Sequence, residues 1–219
     1  MSNTGFGYNV FSMATVKSKP RKGVAYSKRK LEILEAAAYL FVKKGYLKTT
    51  TRDIANRCGM SIGHLYYYVP SKADLMILFI EMNNQWQEEL IKEIEKILNK
   101  SNPLTALKET IRYYALHVDK YQDIFVFWYQ ESKNLEPEFR RLVLGSFNRT
   151  SEKLQLLIEK GCKQGYFKCN YPRLVATNIE VLITAWAFRR WDLRHDYNLD
   201  NFIKDQTDFI VKALRSGKW

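Results

Sequence analysis

The chain is poor in the residues that build most catalytic and metal centres. Its 219 residues include three histidines, His64, His117 and His195, and three cysteines, Cys58, Cys162 and Cys169. No two histidines stand at metal-ligand spacing, and no HExxH occurs. Cys162 and Cys169 are seven apart, the wrong spacing for a zinc knuckle. So odd and sparse a set makes no disulfide framework, and a reducing cytoplasmic compartment is expected. There is no GxSxG, no phosphate loop and no dinucleotide fingerprint. Glu88, Glu89 and Glu131 read as ordinary helix-surface acids. Nothing here argues for an enzyme, a bound metal or a cofactor. No run approaches the roughly 20 apolar residues that span a bilayer. The N-terminus has no basic segment followed by an apolar core, so neither a membrane partner nor a signal peptide is expected. Strand-like alternation and internal repeats are missing as well.

Acids are scarce at one end of the chain. Residues 1–72 carry thirteen lysines and arginines but only Glu32, Glu35 and Asp53 as acids, a charge of +10. The other 147 residues carry 22 bases and 20 acids, so they hold only +2 of the total of +12. A localised basic field is the electrostatic footprint of a polyanion binder. A solvated basic face that aids solubility is the plainer alternative.

Helical periodicity fills most of the chain. Residues 1–26 have little of it, and Lys17, Lys19, Arg21 and Lys22 beside Pro20 and Gly23 read as a flexible basic arm. Ile33, Leu34, Ala37, Ala38, Leu40 and Phe41 recur at helical spacing over Ser27–Lys44, and Gly45 suits the position just past the helix end. Tyr46 and Leu47 read as a plug over that core. A long pattern runs from Ser71 to about Leu98, and further helices are expected near 104–118, 122–132, 137–164, 172–193 and 200–214. The fold class read from this is all-α, with about nine helices. The division expected is an arm over 1–26, a three-helix unit over 27–75 and a helical unit over 76–219.

The most informative stretch is Thr49 to Lys72, TTTRDIANRCGMSIGHLYYYVPSK. Thr50 with Asp53 three residues on makes a capping box for a helix of about two turns that buries Ile54 and Ala55. Cys58, Gly59 and Met60 form a turn, with Gly59 suited to a positive φ. Ser61 caps a second short helix that Pro70 stops. Ser71 caps the next, which Lys72 opens. Two short helices around a glycine turn make a helix-turn-helix candidate, the device that lays its second helix in a DNA major groove.

Two runs of residues carry a family resemblance. One is Lys30, Ile33, Leu34, Ala36, Ala37, Leu40, Phe41, Gly45 and Tyr46. The other is Thr49, Thr50, Thr51, Asp53, Ile54, Ala55, Gly59, Met60, Ser61, Gly63, Leu65, Tyr66, Tyr68, Ser71, Lys72 and Leu75. In order and spacing they resemble the DNA-binding domain of the tetracycline-repressor (TetR) family of bacterial regulators. The match covers about residues 28–78. It departs at Val69-Pro70, where the family usually has Phe and a non-proline residue. The resemblance implies a homodimer on a semi-palindromic double-stranded DNA operator, with a small-molecule effector in the C-terminal unit that releases the DNA. By family position Ile62, Gly63, His64, Tyr67 and Tyr68 face the groove. Ile62 offers only apolar contact, and His64 can donate to or accept from a base edge. Thr51, Ser61, Tyr66, Tyr67 and Lys72 are placed for phosphates, which fix register without reading sequence. Leu65 is expected in the core, and Tyr66 is expected to pack its ring and offer its hydroxyl.

In the C-terminal part, aromatics at helical spacing are first of all core. Tyr113, His117, Trp128 and Tyr129 are the candidates for lining a cavity between helices. Arg189 and Arg190 stand in a cationic stretch that either answers a helix dipole or holds an anionic ligand by bidentate bonds. By analogy with family members that sense acyl-coenzyme A or fatty acids, such a ligand is an acyl-coenzyme A, a fatty acid or an aromatic acid. Two stripes, Ile179, Leu182, Ile183 and Trp186, then Phe202, Gln206, Phe209, Ile210, Ala213 and Leu214, are candidates for a four-helix dimer interface. The alternative is that they face the subunit's own core. The functional reading is a dimeric, ligand-responsive transcriptional regulator, most simply a repressor. The competing reading is a ligand-independent architectural protein that binds DNA through its backbone.

Overall fold

A computed structural model describes residues 28–217; the expected basic arm lies outside the described residues. Among the described residues the chain is all-α, with α1 Lys28–Lys44, α2 Thr51–Arg57, α3 Ile62–Tyr68, α4 Lys72–Lys100, α5 Pro103–Lys120, α6 Gln122–Glu131, α7 Pro137–Lys163, α8 Pro172–Phe188, α9 Arg190–Asp196 and α10 Leu199–Ser216. One turn of 3-10 helix, Ser132–Asn134, follows α6. No described helix is long and apolar enough to cross a membrane. The chain divides into two compact units, ending and beginning at Phe79 and Ile80.

The first unit is α1, α2, α3 and the opening turns of α4. Ile33, Leu34, Ala37 and Phe41 of α1 pack with Ile54 and Ala55 of α2, Leu65 of α3 and Leu75, Met76 and Phe79 of α4, all buried. Phe41 is the centre of this core: Phe79 lies 5.9 Å from its ring and Tyr46 meets it edge-on at 5.3 Å. Tyr46 therefore plugs the core as expected, but Leu47 does not; it is 66% exposed. Thr49 takes the buried place instead. Its hydroxyl lies 2.9 Å from the Gly45 carbonyl and 3.2 Å from that of Leu40, so it ties the chain before α2 to the end of α1.

Helices of seven residues, such as α2 and α3, are not stable alone. Local chemistry fixes their ends. Thr50 and Asp53 form the full capping box, with the Asp53 N–H donating to Thr50 Oγ1 at 3.1 Å and the Thr50 N–H to Asp53 Oδ2 at 2.9 Å. The turn after α2 has paired bonds, Met60 N–H to Ala55 O at 3.0 Å and Gly59 N–H to Asn56 O at 3.1 Å. That is a Schellman motif, and Gly59 occupies its left-handed position at φ 63°. Val69 ends α3 in an extended conformation, which the following Pro70 favours, and buries its side chain.

The second unit buries one large cluster drawn from α4, α5, α6, α7, α8 and α10. Ile179, Ile183 and Trp186, and likewise Phe202, Ile210 and Leu214, lie in this core. Most of the first proposed dimer stripe and half of the second thus serve the subunit itself. The apolar side chains that α8 and α10 leave exposed are Leu174, Val181 and Phe209. The single helix expected over 172–193 is broken at Arg189, which closes α8 and opens α9. The last helix starts one residue before Asp200, and its cap is Asn198, whose Oδ1 accepts from the Asn201 N–H at 2.9 Å.

Candidate nucleic-acid interface

Helix α3 presents one face to its unit and the other to solvent. Leu65 is fully buried, whereas Ile62, Gly63, His64, Tyr66 and Tyr67 are exposed and Tyr68 is half-buried. Tyr67 is 81% exposed. An added Cβ at Gly63 would meet nothing within 4 Å, so close-packing inside the protein is not what this glycine serves. The exposed ring residues brace each other, with His64 5.3 Å from Tyr68 and Tyr67 edge-on to Tyr68 at 5.2 Å. Ser61 is exposed, and its Oγ accepts from the His64 N–H at 3.2 Å and so caps α3.

Beside this helix lies an open depression of about 500 Å³ lined by Leu47, Thr49, Thr50, Thr51, Tyr66, Pro70, Ser71 and Lys72. It gathers three of the predicted phosphate ligands in one place. Thr51 Oγ1 and the Tyr66 hydroxyl are 3.1 Å apart, so each orients the other. Lys72 sits 4.2 Å from the Tyr46 ring and donates to the Leu47 carbonyl over a long 3.4 Å. Partial burial lowers its pKa, since the ammonium loses water. A cation over an aromatic face, beside two hydroxyls, is suited to a phosphate oxygen. Sequence reasoning had not placed Thr49, Thr50 and Ser71 on this rim; their signal was the hydroxyl at each helix start.

The acid in this region is spoken for. Asp53 is held down to about 2 by the Thr50 backbone N–H and then by Lys44, which it meets at 2.9 Å. Arg57 stacks 3.4 Å over the Tyr39 ring. The carboxylate that the capping box needs is therefore engaged by Thr50 and Lys44.

The predicted ligand residues of the second unit do not face one place. Trp128 is buried, with 1% exposed, and its Nε1 donates to Asn83 Oδ1 at 3.1 Å. Its neighbour Tyr129 is 74% exposed and lies 4.8 Å from the Phe188 ring. His117 packs edge-on against Tyr121 at 4.7 Å, and burial lowers its pKa from 6.5 to about 3. Tyr113 is half-buried, and burial raises its pKa. Arg190 meets Asp123 at 2.5 Å, and Arg189 meets Asp192 at 2.5 Å. With Arg194 on Asp119 at 3.1 Å and Trp186 Nε1 on the same aspartate at 2.7 Å, these bonds tie α8 and α9 to the junction of α5 and α6. Both predicted arginines thus have carboxylate partners within the chain. Asp119 and Asp123 gave no sequence signal, because their partners lie 67 or more residues away.

A short second helix with an exposed face, a hydroxyl-and-cation rim and a separate helical unit are the architecture of a helix-turn-helix DNA-binding protein of the regulator type. The sequence matches the family model for bacterial regulatory proteins of the tetR family over residues 33–78. It also matches the tetracyclin repressor-like C-terminal domain over 100–188. The chain belongs to the tetR family of transcriptional regulators. It is 26% identical over 210 residues to the HTH-type transcriptional regulator HbdR of Aromatoleum sp. (strain CIB), covering 94% of this chain and 90% of that one. It is 28% identical over 173 residues to the HTH-type transcriptional repressor KstR2 of Mycobacterium tuberculosis (strain ATCC 25618 / H37Rv), covering 74% and 80%. Its fold resembles that of AibR, solved in complex with isovaleryl coenzyme A and operator DNA, with TM-score 0.69, 21% identity and coverage of 85% and 98%.

Proposed function

We propose that this chain is a dimeric repressor that binds a semi-palindromic operator and leaves it when the second unit takes up a small molecule. The observation that carries the reading is the exposed face of α3 beside the Thr51–Tyr66–Lys72 depression, on a segment where nine bases meet three acids between residues 28 and 72. In this reading Ile62, Gly63, His64, Tyr67 and Tyr68 lie against bases, and Thr51, Tyr66 and Lys72 hold phosphates. Leu174, Val181 and Phe209, exposed on α8 and α10, form the centre of the subunit contact. AibR was solved with an acyl-coenzyme A, so that class is the first effector to test here. Free fatty and aromatic acids are the others.

Selection from a random DNA pool, followed by footprinting, tests the DNA reading. A repressor protects one short semi-palindrome; an architectural protein coats DNA with little preference. Lys72→Ala lowers affinity for all sequences alike and reduces the salt slope by about one. His64→Ala relaxes sequence preference and leaves the slope unchanged. Equal loss on specific and non-specific DNA in both variants refutes this division of roles. Val181→Glu should give a monomer by light scattering, and a persisting dimer moves the contact elsewhere.

A further inference from the structure

The second unit buries polar side chains where helix packing calls for apolar ones. Asn83 and Gln87 lie one turn apart on α4, and both are 3% exposed. Asn83 accepts from Trp128 of α6, and Gln87 Oε1 accepts from Thr150 Oγ1 of α7 at 3.2 Å. The next residue, Ser151, donates its hydroxyl to Glu180 Oε2 of α8. Tyr114 of α5 is buried near Glu180, and Thr110, one turn before it, is fully buried. This seam draws on five helices. Three of its atoms are buried without a hydrogen-bond partner among the described residues: Asn83 Nδ2, Thr110 Oγ1 and Glu180 Oε1. A buried polar atom left unpaired is costly, and apolar residues of the same size would avoid the cost. Within the chain they are unpaired, and a bound molecule would supply their partners. Aromatic rings adjoin the seam, with Tyr114 6.3 Å from Phe125 and Phe125 6.2 Å from Phe147.

We propose that the interior of the second unit binds a mainly apolar small molecule that offers Glu180 a hydrogen-bond donor, a hydroxyl or an amine, and that it rejects a free carboxylate there. This rests on the reading that the second unit senses a small molecule, and it narrows the class. An anionic carboxylate brought to Glu180 places like charges together in a poorly solvated site. The Asn83 amide is left to serve an acceptor elsewhere on the ligand, such as a carbonyl. Burial raises the Glu180 carboxyl to about 7, while Ser151 and Arg173, the polar groups facing it besides Tyr114, act the other way. At pH 8 the carboxylate is the main form, and discrimination is greatest.

The test is calorimetric titration of the full chain without DNA, at pH 8, with three matched probes: octylamine, 1-octanol and octanoate. The amine and the alcohol are expected to bind at least about tenfold more tightly than octanoate, the scale of one charge-assisted hydrogen bond. In Glu180→Gln the amine loses about tenfold, the alcohol changes little and octanoate gains. Ser151→Ala, which frees Glu180 Oε2, keeps the wild-type order and serves if the first variant does not fold. Equal binding of all three probes, tighter binding of octanoate, no binding of any, or an equal effect of Glu180→Gln on all three overturns the proposal. Operator release is measured separately by fluorescence anisotropy. Binding in the expected order without release refutes the sensor reading and leaves the site standing, while release by octanoate alone does the reverse.

Discussion

In the first unit, the side chains proposed to meet DNA project from short helices whose ends are closed by their own neighbours: Thr50 with Asp53, Ser61 with the His64 N–H, Gly59 in its left-handed turn. In the second unit, cations near the end of α8 find carboxylates 67 or more residues away, Arg190 on Asp123 and Arg194 on Asp119. The first unit has too few acids to pair most of its cations, whereas the cations of this cluster are paired within the chain. The contrast teaches how to weigh an arginine cluster. Arg189 and Arg190 invited an anionic ligand from sequence, but the same guanidinium chemistry that grips a ligand carboxylate grips an aspartate equally well. Basic residues are evidence for a polyanion only where acids are too few to answer them, as they are before residue 73.

Four measurements sharpen or break this contrast. The largest effect is expected from Leu65→Ala, which removes a fully buried side chain from a two-turn helix. Its cost is about 2–5 kcal/mol. Denaturant melts followed by operator binding should show the first unit lost while the second still unfolds cooperatively; loss of both together would mean the units do not fold separately. Next comes His117. Its folded pKa is depressed to about 3 from 6.5, so its contribution is present above pH 6.5 and is lost as pH falls toward 3, because the unfolded chain takes up a proton that the folded one refuses. Glu180, raised from 4.5 to about 7, runs the other way, with its contribution present below pH 4.5 and lost as pH rises through 7. His117→Gln should therefore flatten the acid-side decline seen in urea melts, by on the order of a few kcal/mol. An unchanged slope would place that decline on other groups.

Asp119→Ala is smaller. It strips the acceptor from the buried Trp186 indole and from Arg194, at a cost of about 1–3 kcal/mol. A melting temperature unchanged by this variant would show that α8 and α9 do not depend on the bond. The smallest effect on stability, and the most diagnostic, is Gly63→Ala. The Cβ has open space, so the helix should gain about 0.5–1 kcal/mol. Operator affinity should nonetheless fall, since the methyl stands where the groove would approach. Affinity that rises with stability would remove Gly63 from the reading face.

The first unit was the more legible, because what shapes it is local. A capping box, a glycine turn and a proline stop act over three or four residues, and each does what its covalent structure compels. The helices of the second unit were legible for the same reason, from period and punctuation. Their faces were not. The two apolar stripes of α8 and α10 gave no sign of which partner they met, and most of the first and half of the second turned toward their own core. Helix α9 separated from α8 at Arg189, where its neighbours Arg190 and Arg194 bond to α5 and α6, a pull with no trace in local periodicity. The polar pair Asn83 and Gln87 was readable in principle, as an i, i+4 interruption of an apolar stripe.

By itself, then, the sequence determined where helices begin and end around Thr49–Lys72, which side of α3 is apolar and at which end of the chain positive charge accumulates. These follow from backbone sterics, capping bonds and simple charge count, all of short range. Only the tertiary structure decided that Thr51, Tyr66 and Lys72 share one depression, that Arg190 and Arg194 are already paired, and that Asn83, Thr110 and Glu180 each bury an unpaired polar atom. Those relations join residues dozens of positions apart, and nothing in a local pattern encodes which distant side chain will fill the space.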